Sequence, residues 1–309
     1  MQLQQLRYFL AVADTCHFTR AAEAVRVAQP SLSQQVRALE RELGAELFHR
    51  TRGKIALTDA GEALLPLARR IVADAESARV AVQETVQLRR GRVRLGAPPS
   101  LCTSLVPDVL RVFRDRYPGV ALVVREGGSR DLVRLLGEGE LDLALVITPP
   151  RGERPPEPGV TGLLHEELVL VSADRPARSA RRTVRVTELR GRPLVMFREG
   201  YDLREATLAA CREAGFEPEF AVEGGEMDAV LGFVRAGLGP AVVPGMVAAR
   251  SGLEVTPFAG PGLGRTIALA HGPELPPTRA AEALHATLLE HLRDAARAGE
   301  LPPGTRLLL

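Results

Sequence analysis

Cysteine is scarce in this chain of 309 residues: Cys16, Cys102 and Cys211 stand far apart and are odd in number. Neither a disulfide framework nor a paired metal-ligand spacing can be built from them, so they read as reduced thiols. Long apolar runs are missing too. Stretches such as Leu168 to Val171 fall far short of the roughly 20 residues a bilayer requires, and the N-terminus carries no basic-then-apolar leader. A soluble cytoplasmic protein with no membrane partner is the expectation. Asparagine is absent, and Lys54 is the only lysine among 40 basic residues; GC-rich codons account for both, and neither carries functional weight. The net charge of +2 is too small to argue nucleic-acid binding, so any such argument must rest on local placement. The histidines His17, His49, His165, His271, His285 and His291 show no metal-ligand spacing, and no nucleophile motif accompanies them. Gly260, Gly262 and Gly264 resemble a phosphate loop only superficially, because no helix follows. An enzyme, a metal site and a bound cofactor are therefore not expected.

With 45% hydrophobic and 25% charged residues the composition is that of a globular protein, and the length exceeds what one core organises. The first sixty residues read as short helices. Leu3, Leu6, Phe9, Leu10 and Ala13 recur at helical spacing, and Thr19 is placed to cap a second helix carrying Ala22 and Val25. Pro30 suits the first turn of a third, whose apolar residues Leu32, Val36, Leu39 and Leu43 step by four, three and four until Gly44 ends it. A short hairpin around Arg52, Gly53 and Lys54 follows, completing a winged helix-turn-helix over residues 1–58.

Thr58 caps the next segment, in which Leu64, Ala68, Ile71, Ala75, Ala78, Val82 and Thr85 alternate steps of four and three. At about 1.5 Å per residue, such a helix spans roughly 45 Å and offers a coiled-coil seam to a second copy. This linker occupies 59–90. From Arg92 the period changes to a βαβαβ run over Val93 to Ala97, Val106 to Arg116, Val120 to Arg125, Leu132 to Leu136 and Leu143 to Ile147. The same order returns over Pro193 to Phe197, Leu203 to Ala214, Pro218 to Val222, Met227 to Ala236 and Ala241 to Val243. The fold class is thus α/β and multidomain: residues 91–309 form a module of two Rossmann-like lobes, like those of periplasmic binding proteins. Lobe I takes about 91–162 and 267–295, lobe II about 163–266. Leu168 to Val171 and Ile267 to Ala270 are candidates for the two crossings between lobes, and the tail after Arg293 is expected to be loosely held.

If Leu32, Val36 and Leu39 face the core, Pro30, Gln34, Arg37 and Arg41 lie opposite, flanked by Ser31 and Ser33. Gln and Arg suit bidentate bonds to adenine and guanine edges, and short hydroxyls reach phosphate or base. Arg50, Arg52 and Lys54 crowd the wing, where Arg52 can enter a minor groove and Arg50 clamp a phosphate. Taken singly, each is equally well a solvated surface residue; the group at these separations is what points to a major groove.

The stretch FTRAAEAVRVAQPSLSQQVRALERELGAELFHRTRGKIALTDAGEALLPLARRI, Phe18 to Ile71, resembles the DNA-binding signature of LysR-type transcriptional regulators. The resemblance covers the whole chain, including the RLGAPPSLCTSLVP and VRAGLGPAVVP segments. It implies a sequence-specific regulator, switched by a small organic effector, on an interrupted inverted repeat of double-stranded DNA. It also implies a homodimer or homotetramer joined through the linker helix, with RNA polymerase as a further partner. Members of that family commonly activate a divergent neighbour and repress themselves. By the same resemblance Gln29, Pro30, Ser31, Ser33, Gln34 and Arg37 match recognition-helix positions, and Arg50, Arg52 and Thr58 match wing and backbone contacts.

Duplicated α/β lobes bind ligands where strand ends and helix N-termini converge. That places Ser100, Leu101, Cys102 and Thr103 on one wall of a cleft, with Ser129 and Thr148 nearby. Phe197, Arg198 and Gly200 face them, with Glu226 and Met227 at the next helix start. Hydroxyls and amides so placed can hold a carboxylate, with Arg198 supplying charge, so an anion is one effector class to expect. The resemblance points to the same cleft, with Ser100 and Thr148 at matching positions. Two rivals remain. A transport-type solute-binding protein shares the two-lobed plan but would need an export signal and no basic head. A thiol trigger at Cys102 or Cys211 would replace ligand binding by oxidation.

Overall fold

The computed structural model describes residues 1–51, 54–84, 91–148, 159–173, 183–260, 262–272 and 277–309; for 50, 51, 54, 77 and 79–84 the backbone alone is described. The chain divides into two compact units, Met1–Gln87 with Leu135–Glu140, and Leu88–Arg134 with Leu141–Leu309.

In the first unit, helices α1 (Leu3–Thr15), α2 (Phe18–Ala24) and α3 (Gln29–Leu43) precede an antiparallel hairpin of β1 (Phe48–Thr51) and β2 (Lys54–Leu57). Leu32, Val36 and Leu39 of α3 are fully buried among Leu6, Phe9, Val12, Leu47 and Phe48. Each such side chain contributes about 1.5–3 kcal/mol by leaving water, which fixes the face that α3 turns inward. Phe48 anchors the hairpin by packing its ring 5.3 Å from that of Phe9 and 5.9 Å from that of Phe18. The cap of α2 differs from the expected Thr19. His17 takes that role, its Nδ1 accepting from the Thr19 amide at 3.2 Å, because the helix starts one residue before Thr19.

Helix α4 (Asp59–Glu84) begins at Thr58 as the sequence suggests. The Thr58 hydroxyl accepts from the Gly61 amide at 3.1 Å and donates to the Glu46 carbonyl at 2.6 Å. Gly61 is required there: a Cβ would stand 2.2 Å from the Leu47 carbonyl oxygen. The expected seam needs correcting. Ala68 is buried and Leu64 packs in the unit's own core, whereas Leu67 and Ile71 are the exposed apolar residues. The three-four repeat is satisfied near its start by α1 instead of by a second helix. Thr85 lies outside the described residues.

The second unit contains β3 (Gly91–Ala97), α5 (Pro99–Cys102), α6 (Leu105–Arg116), β4 (Val120–Glu126), α7 (Ser129–Gly137), β5 (Leu143–Thr148) and β6 (Val160–Ser172). A 3-10 turn (Val186–Leu189) leads to β7 (Leu194–Met196), α8 (Asp202–Glu213), β8 (Phe220–Glu223), α9 (Met227–Arg235), β9 (Ala241–Pro244), α10 (Gly245–Ser251) and β10 (Glu254–Pro257). The chain ends with β11 (Gly264–His271), α11 (Arg279–Ala298) and β12 (Thr305–Leu307). Each strand and helix of the predicted duplication is present. The lobe I sheet runs β4-β3-β5-β11-β6, with β3 parallel to both β4 and β5. In lobe II, β7 pairs in parallel with β8 and reaches β9 through the Val195 amide bonded to the Pro240 carbonyl.

Strand β6 belongs to both sheets. Its residues up to Glu167 pair with β11, and from Leu168 onward they pair with β9 and β10. Strand β6 thus carries the chain out of lobe I, and the return lies between β10 and β11; Ile267 to Ala270, expected as the second crossing, pair with β5 inside the lobe I sheet, and each lobe keeps its own apolar core. The tail is not loosely held: α11 runs to Ala298, and β12 pairs with β6 through Thr305, Arg306 and Leu307. Leu301 and Leu307 pack against the lobe I core, which gives the tail the apolar anchor that its prolines obscured.

Candidate functional site

With Leu32, Val36 and Leu39 turned inward, α3 leaves Gln29, Pro30, Ser31, Gln34, Arg37 and Arg41 exposed and Ser33 half-buried. The structure brings these residues together as expected. Gln29, Pro30, Ser33, Gln34, Arg37 and Arg41 line a surface concavity of about 900 Å³. Gln29 donates from Nε2 to the Ser33 hydroxyl at 2.8 Å, one turn along the helix. The amide is thereby held with its oxygen and a second N–H still able to read a base edge. Glu40, which sequence reasoning passed over, is buried and accepts from the Leu47 amide at 3.1 Å. It ties the end of α3 to the start of the hairpin.

The backbones of Arg50 and Lys54 lie in β1 and β2, placing both residues on the hairpin, while Arg52 lies outside the described residues. The Thr58 hydroxyl donates to the Glu46 carbonyl and so braces the end of the hairpin against the start of α4.

In the second unit the turns after β3, β4, β7 and β8 converge. Ser129, at the start of α7, accepts from the Ile147 amide at 2.9 Å and donates to Asp202 Oδ2 of α8 at 2.7 Å, joining the lobes directly. Arg198 donates its amide to the Gly225 carbonyl and its Nε to Glu226 Oε1 at 2.5 Å. Its charge is therefore already neutralised. Thr103 turns its hydroxyl to the carbonyls of Pro99 and Ser100, Thr148 is half-buried opposite Thr266, and Gly200 is exposed in a left-handed turn.

Three residues expected on the cleft wall belong to the cores instead. Leu101 packs in lobe I, and Phe197 and Met227 pack in lobe II, all almost fully buried. Their neighbours in sequence reach the cleft, but apolar side chains at these strand and helix ends are drawn into the adjoining core.

Ser100 is wholly buried, and its partner comes from a strand 165 residues further along the chain. Arg265 of β11 donates from Nη1 to the Ser100 hydroxyl at 2.9 Å and from Nε to Glu166 Oε2 at 2.9 Å, with Nη2 2.8 Å from the same carboxylate oxygen. Glu166 is completely buried, and its other oxygen accepts from the Met246 amide at 2.8 Å. This pair joins β11 to β6 at the lobe crossing, so one network links the crossing to the cleft. Tyr201 was also missed. It is 5% exposed and stacks on Phe197 at 4.7 Å; its hydroxyl faces Ser100, yet no atom lies at hydrogen-bonding geometry from it. Burial pushes its phenol well above the usual range. Arg204, nearly buried, holds the Phe197 carbonyl and Glu223 at 2.9 Å each and so fixes the turn that carries Arg198.

A family model for the bacterial regulatory helix-turn-helix of the lysR family matches residues 3–62, and one for the LysR substrate binding domain matches residues 87–293. The chain is a LysR-type transcriptional regulator. It is 34% identical over 247 residues to the transcriptional dual regulator GltC of Bacillus subtilis, covering 79% of this chain and 81% of that protein. It is 36% identical over 303 residues to a probable hydrogen peroxide-inducible genes activator of Streptomyces viridosporus, covering 94% and 95%. The solved structure of full-length CbnR with its target DNA superposes with a TM-score of 0.69 at 26% identity, covering 96% of this chain and all of that one. The regulator therefore binds DNA and carries an effector-binding domain, and its family consists of transcriptional regulators, not enzymes.

Two of its three thiols are held protonated. Cys102 is pushed up to about 12, first by burial and then by Glu126, and burial likewise raises Cys211. Oxidation proceeds through the thiolate, which both shifts disfavour. Among the described residues no helix is long and apolar enough to cross a membrane.

Proposed function

We propose that the regulator acts in the cytoplasm as a dimer or tetramer that seats α3 of successive subunits in successive major grooves of an interrupted inverted repeat. The observation that carries this reading is the exposed face of α3. Gln29, Gln34 and Arg37 supply the paired donors and acceptors that base edges require, while the opposite face is locked into the core. Arg50 and Lys54 on the hairpin supply phosphate contacts. Leu67 and Ile71, the apolar residues α4 leaves in water, are where a second subunit packs.

The effector of this reading occupies the cleft between the lobes. Ser129 and Asp202 bridge the lobes there, and the network Ser100, Arg265 and Glu166 runs from the cleft to the crossing strand. A ligand that favours one lobe arrangement shifts the equilibrium by its difference in affinity for the two, and the lobes pass the change to the bound DNA as an altered bend. Footprinting of the chain on its promoter fragment, with and without inducer, tests this. Protection over an interrupted repeat that changes with inducer is expected; an identical pattern and bend angle in both states would count against switching. Arg37→Ala should cost about 1–3 kcal/mol on the preferred site while leaving unrelated DNA nearly unaffected, and Arg50→Ala should weaken all sequences and flatten the salt slope. Equal losses on every sequence from both changes would contradict the division of labour.

A further inference from the structure

The cleft was first read as a carboxylate site, but its charges run the other way. The hydrogen bond from Ser129 to Asp202 places the end of β4 beside the β7–α8 turn, and the bond from the Arg198 amide to Gly225 places that turn beside the start of α9. Glu126, the last residue of β4, is thereby brought within electrostatic reach of Glu226 and Asp228 at the start of α9 in the other lobe. The repulsion is felt: burial first, then Glu226 and Asp228, hold Glu126 above the usual carboxylate range. Arg198 is the cation among them, and it is bound to Glu226 Oε1. The other oxygen, Glu226 Oε2, is buried without a partner. A second, independent observation also calls for a ligand: the Tyr201 hydroxyl, buried beside Ser100 and within the influence of Glu226, has no acceptor. Leaving a buried hydroxyl unpaired costs about 1–3 kcal/mol, so a group that accepts from it is favoured.

We propose that the cleft takes an effector presenting a positively charged nitrogen to Glu126, Glu226 and Asp228 and a hydrogen-bond acceptor to Tyr201. This rests on the reading that the effector sits between the lobes, and it assigns that effector a chemical class. A cation there replaces like-charge repulsion between lobes by attraction to both, which gives it the differential affinity a switch requires.

The test uses the full-length chain and four probes on a four-carbon chain: 1,4-diaminobutane, 4-aminobutanoate, 1,4-butanediol and succinate. Thermal shift and calorimetry read binding at millimolar concentrations. Both amines are expected to raise the melting temperature, and the diol and the diacid are not. Glu126→Gln should weaken the amines about tenfold, as loss of one close charge does. Without ligand the same variant should melt higher than the parent, which shows that it folds. Tyr201→Phe should weaken 4-aminobutanoate more than 1,4-diaminobutane. Tighter binding of succinate, amine binding that Glu126→Gln leaves unchanged, or no response to either amine overturns the proposal. Retention of promoter DNA by the same preparation separates the two readings. A chain that holds its DNA yet ignores amines fails here alone, and one that binds amines yet selects no DNA fails the groove-reading arrangement alone.

Discussion

The face of α3 and the cleft between the lobes are both polar, yet they are built on opposite principles. On α3 the side chains proposed to read DNA stand in water, and the buried work is done beneath them by Leu32, Val36 and Leu39. In the cleft the polar groups are themselves buried and bound to one another: Ser100 to Arg265, Arg265 to Glu166, Ser129 to Asp202. A surface that must fit a large polyanion gains from donors left free, since each is satisfied only on the DNA. A cleft that must respond to a small molecule gains from bonds it can exchange, because a ligand then competes with an existing arrangement instead of filling an inert hole. Changes in the first region should therefore alter binding with little effect on stability, and changes in the second should alter stability and ligand response together.

The largest expected effect breaks the cleft network. Glu166→Gln leaves the Arg265 charge buried without compensation and should cost about 3–5 kcal/mol, seen as a large fall in the denaturation midpoint of the second unit. Replacing both residues by Met should cost less than either single change, because no charge is stranded; an additive loss would mean that the two do not act as a pair. Next is Gly61→Ala, which pushes a Cβ onto the Leu47 carbonyl and should destabilise the first unit by about 1–3 kcal/mol. Its effect on DNA should appear as a loss of folded protein, with base preference unchanged in the fraction that remains. Ser129→Ala follows. It removes the bond to Asp202 and leaves the Ile147 amide without its acceptor, and should cost about 1–3 kcal/mol, with a change in the cleft's ligand affinity at unchanged fold. An unaltered ligand response would remove Ser129 from the switch.

The two regions also differ in how far the amino-acid sequence discloses them. The α3 face follows from steps of four and three over fifteen residues, so Gln29, Gln34 and Arg37 could be named from local spacing alone. The duplicated βαβαβ order is equally local, and every element of it is where the spacing puts it. The Glu166–Arg265 pair spans ninety-nine residues and lies in strands whose apolar character gives no hint of a buried charge. The same limit explains the linker: Leu64 and Ala68 carry the heptad signal, but α1 is there to cover them. Thr19 lost the cap to His17 by a shift of one residue, which spacing does not resolve. The position of the cleft was legible because strand ends are, while its charge was not, because Glu126 and Glu226 come from different lobes.

The smallest effect is the one that most directly reads this charge. Glu126 is raised first by burial and then by Glu226 and Asp228, while Arg198 is occupied with Glu226. Its carboxyl therefore holds its proton more tightly folded than unfolded. The stability this contributes is complete below the unfolded value and is lost as pH rises through the folded one. At neutral pH the parent chain should consequently melt below Glu126→Gln, by less than about 1 kcal/mol because the group is exposed. As pH falls through and below the ordinary glutamate range, the two melting curves should converge, since both side chains are then neutral. A parent chain that melts above Glu126→Gln at neutral pH would mean that Glu126 meets a cation, not two acids, across the cleft, and the contrast between a free reading face and a self-bound cleft would have to be redrawn around a different ion pair.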